Sequence, residues 1–208
     1  AALGLAAAPV PAPGQEGERC GLFTSGFCHL AREELERVDC RRLLAVTGPG
    51  EGLKAALKKR LAAANVEFTA VGADSLAGLE RRDVDTLLEG CDTVVYAGHH
   101  AAMEVGPDGD ALERAVQQET RRLYGAFRAL APALEEAPRR VIVPVSQDGA
   151  FGVAGAGRRR LLGAFPAGFV RCLSRELERC AFQLVDAADT PWDEAIAAVV
   201  HRAGPRLE

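Results

Sequence analysis

The stretch Arg42-Leu43-Leu44-Ala45-Val46-Thr47-Gly48-Pro49-Gly50-Glu51-Gly52 constrains this chain most. A short apolar run stops at Thr47-Gly48, a glycine-rich turn follows, and a helical pattern begins at once. An apolar run of that length bounded by glycine reads as a buried strand. A strand that feeds a helix through a tight glycine turn is the opening of a layered α/β domain, provided the unit recurs along the chain.

It does recur. In Gly52–Ala64 the residues Leu53, Ala56, Leu57, Leu61 and Ala64 return at three and four, which makes one face apolar. Lys54, Lys58, Lys59 and Arg60 form its wet side, and Asn65 suits the turn after it. Val66–Val71 is the second strand. Arg81–Glu89 is a short helix closed by Gly90, and Asp92–Gly98 is the third strand. Asp110–Leu134 is the longest helix, with Leu112, Ala115, Val116, Leu123, Phe127 and Leu130 as its stripe and Pro132 expected to kink or end it. Arg140–Ser146 is the fourth strand, and Pro144 predicts an irregularity there. After the glycine-rich loop Gln147–Gly157, a helix is expected over Leu161–Cys180. A fifth strand follows at Phe182–Val185. Thr190-Pro191 then caps a last helix that runs to about His201 and stops at Gly204-Pro205.

Strands that alternate with helices imply crossovers and a mostly parallel sheet with helices on both faces. The expected fold class is therefore a three-layer, doubly wound α/β domain over residues 41–208. Residues 1–40 read as a Pro/Ala-rich linker and arm, within which Gly21–Phe27 has the character of a short strand and His29–Val38 has helical spacing. No internal repeat is visible. The chain begins without Met, which suggests an excised or processed piece.

Composition narrows the partners. The net charge of −4 argues against nucleic acid or an anionic membrane surface. No apolar run approaches the roughly 20 residues that span a bilayer, and no basic segment precedes the apolar opening, so a cytoplasmic protein is expected. Aromatics are only 5% of the residues, so Leu, Val and Ala must fill the core. The six cysteines (Cys20, Cys28, Cys40, Cys91, Cys172 and Cys180) form no C-x-x-C pair and read as reduced, mostly packed thiols. Cys172 and Cys180, eight apart on one expected helix, are too far apart to bridge.

The order of landmarks resembles the short-chain dehydrogenase/reductase superfamily, with its Rossmann-like fold. Thr47-Gly48 follows the first strand, and Tyr96-Ala97-Gly98 stands where that family has Asn-Asn-Ala-Gly. Ser146 closes the next strand, and a helix ends Leu173-Ser174-Arg175-Glu176-Leu177. The departures matter more. The family's phosphate loop is T-G-x-x-x-G-x-G, whereas Thr47-Gly48-Pro49-Gly50-Glu51-Gly52 is shorter and puts Glu51 where the pyrophosphate would lie. After the second strand stands Gly72-Ala73-Asp74, with no basic residue to grip a 2′-phosphate. The family's catalytic Tyr and Lys fall at about Arg159 and Gly163, and neither Tyr96 nor Tyr124 has Lys four residues later.

A segment further on sharpens the resemblance. Gly163-Ala164-Phe165-Pro166-Ala167-Gly168-Phe169-Val170-Arg171-Cys172-Leu173-Ser174-Arg175-Glu176, followed by Phe182-Gln183-Leu184-Val185-Asp186, is similar to the end of the structural subdomain of polyketide-synthase ketoreductases. Polyunsaturated-fatty-acid and enediyne-type synthases carry similar segments. In that family a truncated first half binds no cofactor and braces a second, catalytic half, and this chain stops about where the linker between the halves would begin.

The resemblance implies a pseudoenzyme: no catalytic residue and no cofactor in this chain, with NADPH expected on a partner ketoreductase domain. An alternative is a divergent NAD(P)-dependent reductase of ketoacyl substrates. Its cofactor residues would be Thr47, Gly48, Gly50, Gly52, Asp74 and Ser146, with Tyr96 recruited beside Ser146. A third reading is a module that docks acyl-carrier protein through Arg158-Arg159-Arg160. A homo-oligomer is compatible with any of these. His99-His100 lacks the spacing of a metal site, so no metal is expected. Gly-x-Ser-x-Gly, Walker-type and Cys/His nucleophile patterns are absent.

Overall fold

The computed structural model describes residues 23–27, 40–98, 109–146, 161–187 and 190–201. Along the first long strand, alternate residues go to opposite cores. Leu43 and Ala45 pack on one side of the sheet, Leu44 and Val46 on the other, and all four are fully buried. Burial on both faces is what an apolar run without alternation requires.

In chain order the described elements are β1 (Phe23–Phe27), β2 (Arg42–Thr47), α1 (Gly52–Ala63), β3 (Glu67–Gly72), α2 (Ala73–Leu76), α3 (Arg81–Leu88) and β4 (Thr93–Ala97). They continue with α4 (Gly109–Glu136), β5 (Arg139–Val145), α5 (Leu161–Glu176), β6 (Cys180–Asp186) and α6 (Trp192–His201). The sheet order is β1-β6-β5-β4-β2-β3. Strands β2 to β6 are mutually parallel, and β1 joins β6 antiparallel, with Phe23 opposite Asp186 and Phe27 opposite Phe182. This is the expected Rossmann-like, doubly wound, mostly parallel α/β fold.

The helices cover the sheet in two layers. Leu57 and Leu61 of α1 and Trp192, Ile196 and Val199 of α6 close one face. On the other, α2 to α5 contribute Leu76, Val84, Leu88, Leu123, Phe127, Leu130 and Val170. Phe127 is the hub of that side, its ring 5.4 Å from Tyr96, 5.9 Å from Phe169 and 6.3 Å from Phe182. At the amino end of β5, Arg139 satisfies helix-end carbonyls. It donates to the Ala133 oxygen of α4 at 2.6 Å and to that of Leu88 of α3 at 3.4 Å.

Several element ends differ from the sequence reading. The helix expected over Leu161–Cys180 ends at Glu176, and Cys180 opens β6, so Cys172 and Cys180 lie on different elements. Leu177 and Cys180 close a turn there, the Cys180 N–H reaching the Leu177 carbonyl at 3.0 Å. Pro132 does not end α4, which continues to Glu136 because Ala133 and Leu134 beyond it are buried in the core. The fifth strand runs over Cys180–Asp186, longer than expected. The short helix α2, directly after β3, has no counterpart in the sequence reading.

Pro144 acts as its chemistry demands. The β4–β5 ladder stops at Val95–Ile142, two residues before the proline, while the pairing with β6 continues to Val145. The strand read at Gly21–Phe27 is present as β1. His29–Val38 lies outside the described residues.

Candidate functional site

The strand order reverses between β2 and β4, the neighbours of opposite winding. In open α/β sheets the crevice at such a point, beyond the carboxyl ends of the strands, is where ligands bind. Here a cavity of about 320 Å³ opens beside that point, over β2 and β3. Thr47, Gly48, Gly50, Lys54, Asp74 and Ser75 are among its lining residues.

The turn that forms its floor is tight. A Cβ on Gly48 would collide with the Gly98 carbonyl oxygen, so the turns after β2 and β4 touch across the reversal point. Gly50 has φ +109°, a conformation that glycine alone adopts freely. Glu51 follows, and its carbonyl accepts the Ala55 N–H at 2.9 Å as α1 begins at Gly52. Its side chain caps nothing and pairs instead with Lys54 at 3.3 Å. The first turn of α1 thus carries an exposed carboxylate paired with Lys54, whose charge disfavours a phosphate nearby.

Asp74 stands in the first turn of α2, and its carboxylate is engaged. Arg122 of α4 donates Nε to Oδ1 at 3.0 Å and Nη2 to Oδ2 at 3.1 Å, a fork-like pair. The third arm of that guanidinium, Nη1, binds Glu119 one turn earlier on α4. Glu119 and Arg122 are both almost wholly buried, and Glu119 Oε2 has no hydrogen-bond partner. Burial pushes the Glu119 carboxyl above the usual carboxylate range, more than Arg122 pulls it down. Arg122 is held protonated chiefly by its bond to Asp74.

Tyr96, beside this cluster, is fully buried, and desolvation pushes its phenol well above the ordinary range. Tyr124 is on the outer surface of α4, 57% exposed. The lysines of the chain, Lys54, Lys58 and Lys59, are all on α1. Tyr96 belongs to the core under α2 to α5, so the sheet separates it from α1.

Of the residues singled out in the sequence, the structure brings Thr47, Gly48, Gly50 and Asp74 to one cavity. Gly52 starts α1 and is exposed, and Ser146, just past β5, is not among the lining residues. His99, His100 and Arg158–Arg160 lie outside the described residues. Of the cysteines, Cys91 and Cys180 are buried, Cys40 is half-buried and Cys172 is exposed, all as free thiols. Burial raises the Cys40 and Cys180 thiols to about 11, far from a reactive thiolate. Among the described residues no cluster of His, Cys, Asp or Glu is arranged to hold a metal ion.

The Glu119–Arg122–Asp74 network is what sequence reading overlooked. The signal was present: Glu119 and Arg122 interrupt the apolar stripe between Val116 and Leu123, where a charge must find a partner.

No protein-family model matches the chain, and no curated protein is significantly similar to it. What the architecture defines is a class: a Rossmann-like, doubly wound α/β protein with a tight glycine turn at its first crossover. No described helix is long and apolar enough to cross a membrane.

Proposed function

We propose that this chain is a non-catalytic, reductase-like domain that braces a catalytic NADPH-dependent ketoreductase of polyketide or fatty-acid biosynthesis. The observation that carries the reading is the fate of the tyrosines. One is sealed in the core, the other points outward from α4, and every lysine lies across the sheet from Tyr96. The Tyr–Lys pair that such reductases need for proton transfer has no counterpart on this frame. The shortened turn, with Glu51 at the mouth of α1, supports the same reading.

The test is an assay of the folded chain alone with NADPH and a β-ketoacyl thioester, then with a ketoreductase domain from the same reading frame. The expected result is no NADPH oxidation by the chain alone and a higher Tm of the reductase in its presence. Turnover by the isolated chain would overturn the reading.

The cavity over Thr47, Gly48, Gly50 and Asp74 favours one second reading, a divergent NAD(P)-dependent reductase. Under that reading, calorimetric titration with NADPH and NADH gives saturable heat that Gly50→Val abolishes. Absence of heat with both removes it.

A further inference from the structure

The outward face of α4 carries Arg114, Arg121 and Arg128, each seven residues from the next and all exposed. Seven residues are nearly two helical turns, so the three guanidinium groups stand in one row about 10 Å apart. Between Arg114 and Arg128 the only acidic residue is Glu119, which points inward and is buried against Arg122. Among the described residues none of the three arginines has an ion-pair partner, whereas Arg60, Arg81 and Arg122 each have two. Tyr124 stands beside this row and is the one large hydrophobic side chain that is exposed among the described residues. A cleft of about 500 Å³ lined by Arg114, Gln117, Arg121 and Ala77, with Asp74 held by Arg122 at its wall, runs along its α2 side. In a chain whose net charge is −4, this face is strongly positive and carries an aromatic anchor. Arginine and tyrosine are the residues that dominate binding energy at protein interfaces.

We infer that this face of α4 docks an acidic helix of a partner protein, one that sets carboxylates at seven-residue intervals against the three arginines and receives the Tyr124 ring in an apolar socket. A second copy of the chain fits less well. Antiparallel pairing centred on Tyr124–Gly125 sets Arg114 against Glu135 of the copy but Arg121 against Arg128 at its centre, and parallel pairing sets each arginine against itself. Like charges so placed repel. The inference rests on charge and geometry and does not need the bracing reading.

The test is photo-crosslinking in the natural full-length protein in its source organism. Tyr124 is replaced by p-benzoylphenylalanine, the same probe at Arg82 on α3 serves as control, and the trapped peptide is sequenced by mass spectrometry. The expected product is a helical segment of another domain or protein with Asp or Glu at seven-residue spacing. Its yield should fall about tenfold in R114E/R121E/R128E, since each lost pair weakens binding and reversal adds repulsion. Circular dichroism of that variant controls for folding. Crosslinks to α4 of a second copy, to a segment without such acids, to nothing, or in a yield unchanged by charge reversal would overturn the inference. An acidic helix from a protein other than a reductase would uphold the docking face without supporting the bracing role. A reductase bound through another face would do the reverse.

Discussion

Glu119 sits in an environment that is costly for a carboxylate. Its carboxyl is buried with one oxygen unpartnered, and burial raises its pKa in the folded state. The folded chain therefore binds this proton more tightly than the unfolded chain, whose glutamates titrate near ~4.3. Stability is favoured below that value and declines as pH rises from it through the raised pKa. Glu119→Gln should flatten this part of the pH dependence, read as the difference in urea midpoint between variant and parent from acid to neutral pH. An identical slope in both would contradict the account. The place of Glu119 within the apolar stripe of α4 was legible in the sequence, but the depth of its burial was not, because that depends on how the sheet covers the helix. Asp74 shows the same limit. Its place after the second strand was legible, but Arg122, 48 residues away, was not. The turn at Thr47–Gly52 was legible almost entirely, since glycines and proline state their backbone needs locally.

At the scale of the element, α4 holds one core together. Phe127 touches aromatic rings from β4, α5 and β6, so truncating it opens a hole where four elements meet. Phe127→Ala should lower unfolding free energy by about 3–5 kcal/mol, measured by urea denaturation. A loss under ~1 kcal/mol would mean that the core collapses into the gap. The period of α4 was readable from its apolar stripe, whereas its end was not. Pro132 is a local stop signal, and the burial of Ala133 and Leu134 overrides it. The α5–β6 boundary failed for a related reason. Leu173, Leu177 and Cys180 keep helical spacing past Glu176, but Cys180 pairs with Arg139 of β5, so the sheet register ends the helix.

At the scale of the whole molecule, β1 covers the edge of β6. That strand belongs to a stretch whose composition reads as a linker, yet its five residues pair in full register. An N-terminal truncation through Phe27 would bare the β6 edge, and a bare edge is a template for pairing with another chain. The truncated protein should associate, seen as a larger mass by light scattering after size exclusion. A monomer with unchanged Tm would show that β1 is dispensable. Five alternating units made the parallel sheet legible beforehand. The antiparallel addition was not, because an isolated strand carries no mark of which edge it joins.

The confinement of Lys54, Lys58 and Lys59 to α1 has a practical side. Amine-reactive chemistry on these lysines meets only that helix, across the sheet from α4. A sensor surface or dye coupled through them would hold the domain in one orientation, with the arginine row of α4 facing away from the support. Arginine chemistry has no such confinement, because Arg60 is exposed on α1 itself. The chain thus comes with one side-specific handle, the amines of α1.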